Sequence, residues 1–233
     1  MLGLGNSLSR GGVLSGLTNN YSLAFDGSDD YVENTAPSGL PSGNTFTISA
    51  WVNYSGTSGD WAIWRRDEAT DNPILRLSGT TRKIELRKYG DESGTANTSL
   101  TADVWNHVVI SINSLSATFY LNGSADGTHT FTGDFVHANE MRIGEYGGAY
   151  ADGKIDEVAM WDVELDADAV SSIYNSGTPI ALDADHGNYD NSGDLQGWWR
   201  FEEGSGTSAT DSSANSNTGT LTNGPSYSTD VPS

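Results

Sequence analysis

The chain has 233 residues, no cysteine, and 31 acidic against 11 basic residues, a formal charge of −20. This excludes disulfides, thiolate metal centres and thiol nucleophiles, and so acidic a surface repels nucleic acid while favouring solubility and attracting cations. The 28 glycines follow no Gly-X-Y period, which points to many tight turns, and no run of 18 apolar residues offers a membrane span.

The length fits one large domain or two small ones, and an all-β sandwich of this size is routinely a single domain. Residues 1–20 are rich in Gly, Ser and Leu without a period and read as an amino-terminal arm. Met1 to Leu17 has no basic residue before Arg10 and no continuous apolar stretch, so it makes a poor secretory signal. Residues 21–175 carry short alternating runs separated by Gly, Asn, Asp and Ser, the pattern of a sandwich or barrel.

Runs at 21–26 and 30–34 are the first strand candidates. In the next, Phe46, Ile48, Ala50, Val52 and Tyr54 share one face, while Thr47, Ser49, Trp51 and Asn53 share the other. Strands are expected at 60–65, 73–78 and 83–88, and Val104 to Ile112 is apolar enough on both faces to be central. In the run 117–121, Ala117, Phe119 and Leu121 point one way, and Asn122-Gly123 supplies the positive-φ pair of a tight hairpin. Further strands are expected at 140–144, 154–161 and 197–202. The one helical run is Asp166 to Gly177, with Asp166 as N-cap, Ala169, Val170, Ile173 and Tyr174 on one face, and Gly177 to end it.

Taken in order, Tyr21-Ser-Leu-Ala-Phe-Asp-Gly-Ser-Asp-Asp-Tyr-Val32, Phe46-Thr-Ile-Ser-Ala-Trp-Val52, Trp105-Asn-His-Val-Val109, Phe119-Tyr-Leu-Asn-Gly123 and Gly153-Lys-Ile-Asp-Glu-Val-Ala-Met-Trp161 are similar to the laminin-G-like, pentraxin-like jelly rolls of the concanavalin A-like lectin/glucanase type. The resemblance covers roughly residues 20–175 and implies an all-β fold: a two-sheet antiparallel jelly-roll sandwich with one short helix. The run Gly197-Trp-Trp-Arg-Phe-Glu-Glu-Gly-Ser-Gly206 resembles the beginning of such a domain yet comes near the end. It should therefore pair back onto the same sandwich or onto a neighbouring subunit. The expected organisation is an arm (1–20), a jelly roll (21–222, with 194–222 as closing strand and loops) and a tail (223–233). With its Gly-rich arm, the arrangement also resembles structural proteins of tailed phages.

Relatives of this fold include β-glucanases, whose pattern Glu-x-Asp-x-x-Glu is met here by Lys154-Ile-Asp-Glu-Val-Ala159. Lys154 and Ala159 replace both glutamates and only Asp156 remains, whereas retaining hydrolysis needs two placed carboxylates. Neither a Gly-x-Ser-x-Gly elbow nor a phosphate loop is present. No catalytic residue is expected.

Calcium takes six to eight oxygen ligands, and Asp26-Gly-Ser-Asp-Asp30 packs three carboxylates into five residues; the alternative for Asp26 is an Asx turn. The resemblance implies that Asp156 lies near the Phe25-Asp26-Gly27 strand end, and that a second site would draw on Glu145 and Asp152. The metal candidates are thus Asp26, Asp29, Asp30, Asp156, Glu145 and Asp152. Trp61, Trp64, Tyr146 and Tyr150 are the candidates for saccharide contact, which uses exposed aromatic faces. Seven of the eleven basic residues fall within 65–88. Arg65, Arg66, Arg82, Lys83, Arg87 and Lys88 are candidates for docking an acidic partner, set against cross-strand pairing with Asp67, Glu68, Asp71 and Glu85.

The expectation is a non-enzymatic virion structural or binding protein of a tailed phage, a capsid decoration or a fibre or tail adhesin. It would be released by host lysis, contact other virion proteins or copies of itself, and bind glycan or protein through the sandwich loops. No nucleic acid or membrane insertion is expected. The alternative is a secreted carbohydrate-binding module or glycoside hydrolase of the concanavalin A-like fold.

Overall fold

The computed structural model describes residues 17–55, 59–66, 72–88, 92–137 and 140–233. Strands β1 (Ser22–Asp26), β2 (Tyr31–Asn34), β3 (Phe46–Tyr54), β4 (Trp61–Arg66), β5 (Pro73–Leu77), β6 (Lys83–Lys88), β7 (Glu92–Ser99), β8 (Asn106–Asn113), β9 (Ser116–Leu121) and β10 (Ser124–Thr130) come first. They are followed by β11 (Met141–Ile143), β12 (Glu145–Tyr146), β13 (Ala149–Tyr150) and β14 (Asp152–Trp161). Helix α1 (Ala167–Tyr174) then leads to β15 (Leu195–Trp199), β16 (Ser208–Ala209), β17 (Gly219–Thr222) and β18 (Ser226–Ser228).

Two eight-stranded antiparallel sheets result. The first has the order β10-β9-β8-β3-β14-β1-β18, with β15 added beside β14, and the second has β16-β17-β2-β11-β4-β5-β6-β7. Strands β12 and β13 pair with each other as a separate hairpin. Among the described residues the fold is the expected two-sheet jelly-roll sandwich with one short α-helix.

Period-two alternation builds the core between the sheets. Phe46, Ile48, Ala50, Val52 and Tyr54 of β3 all enter it, facing Trp61, Ile63, Leu75, Leu77, Ile84 and Leu86 of the second sheet. Strand β8 is central, between β3 and β9. Asn122 and Gly123 take φ of 49° and 75° at the β9–β10 turn, as a tight hairpin needs. Strands β7 and β10 carried no apolar alternation in the sequence. They are the edges of their sheets and lie against each other, with the Asp126 carboxylate accepting from the amide and hydroxyl of Thr98.

The outward face of the first sheet is closed by α1. Asp166 caps the helix by accepting from the Ala169 amide at 2.8 Å. The left-handed residue after it is Asn175, with φ of 45°, and not Gly177; asparagine is the next-best residue for that conformation. Val170 and Ile173, with Ile180 and Leu182, pack on Val109, Trp161 and Trp198 as a second core. Residues 1–16 of the expected arm lie outside the described residues.

Strands β1 and β15, from early and late in the chain, share one edge of β14. Its first half pairs with β1 (Ile155 opposite Leu23) and its second half with β15 (Val158 opposite Trp199). The run around Trp198 therefore returns to its own sandwich. Between the two halves the strand bulges at Glu157, whose φ is 49°. Residues 226–228, within the expected tail, form β18 and pair with β1. Three residues of alternating Ser and Tyr are too few to carry a strand signal, and register against β1 supplies the rest.

Candidate functional site

The second sheet turns a polar face outward. Its pairing sets Arg142 opposite Glu33 and Arg65, and Arg76 opposite Glu85 and Ala62. Arg65 Nη2 meets Glu145 Oε2 at 2.6 Å, Arg142 bonds Glu33, Glu140 and Glu145, and Arg76 bonds Glu85 and Asp60. Glu145, Arg65, Arg76 and Glu85 are buried. Burial alone would raise the Glu145 carboxyl, but the Gly148 amide and the Arg65 and Arg142 guanidinium groups outweigh it and hold the group below the ordinary carboxylate range.

The β12–β13 hairpin carries Tyr146 and Tyr150, both half-buried. The Tyr146 ring has the guanidinium of Arg76 at 5.7 Å and that of Arg87 at 5.8 Å from its centroid, and Arg142 lies 4.6 Å from the centroid of Tyr31. This assembly of half-exposed tyrosines and guanidinium groups is the candidate saccharide site. The alternation of Arg142 between the core residues Met141 and Ile143 could have placed it there from sequence.

Several expected residues stand elsewhere. Trp61 and Trp64 are 4% and 0% exposed in the core between the sheets, so they offer no ring to a ligand. A bulge between Ala62 and Trp64 turns Trp64 inward beside Trp61, which simple alternation also places inside. Arg65, Arg66 and Lys88 are buried and so are not part of an exposed docking patch. Arg65 is consumed by Glu145 and Glu140, and Lys88 donates to the Thr132 carbonyl. Arg82, Lys83 and Arg87 remain half-exposed. Of the acids weighed as partners, Glu85 pairs with Arg76, while Asp67, Glu68 and Asp71 lie outside the described residues.

The metal candidates separate. Asp26, Asp29 and Asp30 bring carboxylate oxygens within 4.8 Å of one another. Asp26 does form the Asx turn, accepting from the Ser28 amide at 2.8 Å, and Asp30 accepts from the Asp26 amide. Burial raises the Asp30 carboxyl, and the charges of Asp26 and Asp29 raise it further against the Asp26 hydrogen bond. An all-oxygen, mutually repelling donor set of this kind fits a hard cation such as calcium.

The residue that register sets against Asp26 is Asp152, not Asp156. Asp156 lies four positions further along β14, beyond Leu23, so it does not join the cluster as the resemblance implied. Glu145 does not form a second site with Asp152, because its carboxylate is held by Arg65, Arg142 and the Gly148 amide.

Sequence reasoning missed the pairing of Asp156 with Glu157. The β14 bulge leaves both carboxylates buried, at 0% and 3% exposure. Trp198 Nε1 donates to Glu157 at 2.6 Å, Arg200 Nε donates to it at 3.4 Å, and Asn19 Nδ2 donates to Asp156 at 3.0 Å. Burial pushes the Glu157 carboxyl up to about 8 and also raises Asp156, which the Glu157 charge raises further. Glu202 accepts from the Asn20 and Tyr21 amides and Arg200 donates to the Thr18 carbonyl, so the entering and leaving segments are tied across the pair.

Beside it, Ser49 Oγ and His107 Nε2 are 2.9 Å apart, in a pocket with Trp51, Glu157 and Ile173 that has room for about one water. Burial lowers His107 to about 3, too low for a general base at neutral pH.

Residues 26–171 match the family model of the concanavalin A-like lectin/glucanases superfamily, of the third laminin-G type. The chain belongs to this superfamily. No protein of curated function matches. An inferred carbohydrate binding protein from Bacteroides ovatus has the same fold, with a TM-score of 0.71 at 19% identity over 93% of this chain and 62% of its own. The chain thus spans less than two thirds of that protein. The native heptameric SAP-like pentraxin of Limulus polyphemus is similar at TM-score 0.60 and 14% identity, over 89% of this chain and 96% of its own. Domain 4 of AbnA, a GH43 extracellular arabinanase from Geobacillus stearothermophilus solved with arabinotriose, is similar at TM-score 0.53 and 17% identity, over 66% of this chain and 87% of its own. At these identities the likeness is one of fold to this laminin-G-like jelly roll.

Proposed function

We propose that the chain is a non-catalytic saccharide-binding module that works at the surface of a tailed-phage virion. The observation that carries the binding role is the outward face of the second sheet, where Tyr146 and Tyr31 stand half-exposed beside Arg76, Arg87 and Arg142. Tyrosine rings flanked by fixed polar groups suit a sugar, whose ring has an apolar face and a rim of hydroxyls. The arabinotriose complex of the similar AbnA domain supports the ligand class.

The non-catalytic character rests on the loss of both glutamates at Lys154 and Ala159 and on the burial of Asp156 and Glu157 beneath their own partners. The virion setting rests on the Gly-rich arm and the resemblance drawn from the sequence. Calcium at Asp26, Asp29 and Asp30 is part of the proposal and would stiffen the β1–β2 corner.

The test is glycan-array and affinity-electrophoresis binding of the whole chain. Binding that falls at least tenfold in Tyr146→Ala, without reducing-end release, is the expected result. Array silence together with stoichiometric presence in phage particles would make it a ligand-free cement protein, and sustained hydrolysis would make it an enzyme.

A further inference from the structure

In a chain of charge −20, a cation without a carboxylate partner is the exception. Arg65, Arg76, Arg142 and Lys154 are each ion-paired, and Arg200 donates to the Glu157 carboxyl. Among the described residues, the side chains of Arg82, Lys83 and Arg87 meet no carboxylate, and all three are half-exposed on β6 or the turn before it. Lys83 and Arg87 alternate with core-facing Ile84 and Leu86, so both point outward, about 13 Å apart along the strand.

Arg87 lies over the ring of Tyr146 at 5.8 Å. A cation–π contact of this kind steadies the guanidinium without consuming its N–H donors, which stay free for a bidentate partner. On the neighbouring β7, exposed Ser93 stands opposite Arg87 and exposed Thr95 opposite Glu85, adding hydroxyls to the same face.

From this we infer that the outward face of β6 and β7 is the subsite for an acidic group of the saccharide, a carboxylate or a sulfate, with Arg87 as its principal partner and Lys83 reaching a second one. The inference rests on the saccharide-binding reading and narrows it to acidic glycans. The charge of the rest of the molecule opposes a polyanion at long range. At physiological ionic strength that repulsion is screened beyond about 8 Å, while a guanidinium–carboxylate contact persists.

Affinity electrophoresis of the full chain in gels containing polygalacturonate, dextran sulfate or neutral laminarin, at physiological salt, tests it. Retardation by a charged polymer, weakened at least tenfold in Arg87→Gln and partly restored in Arg87→Lys at an unchanged melting midpoint, is the expected result. Lys83→Gln is the second variant, because that side chain bonds no other among the described residues, and it should weaken retardation several-fold. Retardation by laminarin alone overturns the inference and leaves the saccharide reading standing, whereas retardation by none of the three defeats both. Charged-polymer binding unchanged in both variants, or self-association in sedimentation that the same variants abolish, also overturns it, the latter by giving the patch to a second copy.

Discussion

On the first sheet, Val170, Ile173, Ile180 and Leu182 cover Val109, Trp161 and Trp198, whereas the matching face of the second carries Arg65, Arg76, Arg142, Glu85 and Glu145. The first face is shut from water, and on the second Arg65, Arg76, Glu85 and Glu145 are buried while Arg142 is half-exposed. The apolar closure gains free energy from burial, at roughly 25 cal/mol per Å². The ionic closure must first strip water from several charges, which their mutual attraction offsets only when every partner is in place. The first face is therefore built for stability. The second tolerates solvent at its margin, where Tyr146, Arg87 and Lys83 emerge, and a ligand can use it.

The largest effect that separates the two faces should follow from removing one member of the ionic network. Glu145→Ala removes the one buried carboxylate that meets Arg65, leaving it only the half-exposed Glu140, while Arg142 keeps Glu33 and Glu140; it should cost about 3 kcal/mol, the lower end for breaking a buried pair. Replacing the pair together, Arg65→Met with Glu145→Leu, should recover most of that loss, because well-packed apolar groups often match a buried ion pair. Denaturant unfolding of the three proteins measures it. A single variant within about 0.5 kcal/mol of the parent would show that the outward face of the second sheet is solvated.

Much of this contrast was hidden in the sequence. The β3 alternation was legible because Phe46, Ile48, Ala50, Val52 and Tyr54 meet the core at period two, and the helix was legible from Asp166 and the spacing of Ala169, Val170 and Ile173. Strands β7 and β10 were not, since an edge strand facing solvent needs no apolar residues. Trp64 misled because a bulge turned it inward. The sequence marks Asp156 alone, as the survivor of a hydrolase pattern, and hides its pairing with Glu157, because nothing local reveals that Trp198 and Arg200, more than forty positions on, close over the two. The cationic run at 65–88 looked like one patch, yet register divided it into buried partners and the three outward side chains on and before β6.

The pH response should carry opposite signs on the two faces. Glu157, with a folded value of about 8 against an ordinary 4.5, stays protonated in the native state while the unfolded chain ionises. Its contribution is present below about pH 4.5 and is lost as pH rises towards 8, with a slope of at most about 1.4 kcal/mol per pH unit for one proton. Glu145 is held below its ordinary value, so its contribution is present above about pH 4.5 and is lost on acidification. Melting midpoints from pH 4 to 9 should show a decline on the alkaline side that flattens in Glu157→Gln, and an acid decline that flattens in Glu145→Gln. An alkaline limb unchanged in Glu157→Gln would mean that the buried carboxyl is ionised throughout.

The third acidic group, Asp26, Asp29 and Asp30, sharpens the comparison because it has no guanidinium partner among the described residues. Burial raises Asp30 and the charges of Asp26 and Asp29 raise it further, so a bound cation would relieve a repulsion that the other two regions have already solved. A cation held only by the folded state stabilises it by RT ln(1 + [L]/Kd), about 2.7 kcal/mol at a hundredfold excess over Kd. Melting in calcium should therefore exceed melting in chelator by several degrees, the smallest of the three effects when the ion is scarce. Asp29→Asn is the clean probe. Its carboxylate is exposed and accepts no hydrogen bond among the described residues, so the variant should fold as the parent does and lose most of the calcium increment. A midpoint indifferent to calcium would remove the metal from the proposal. An increment that survives in Asp29→Asn and Asp30→Asn would place the ion elsewhere.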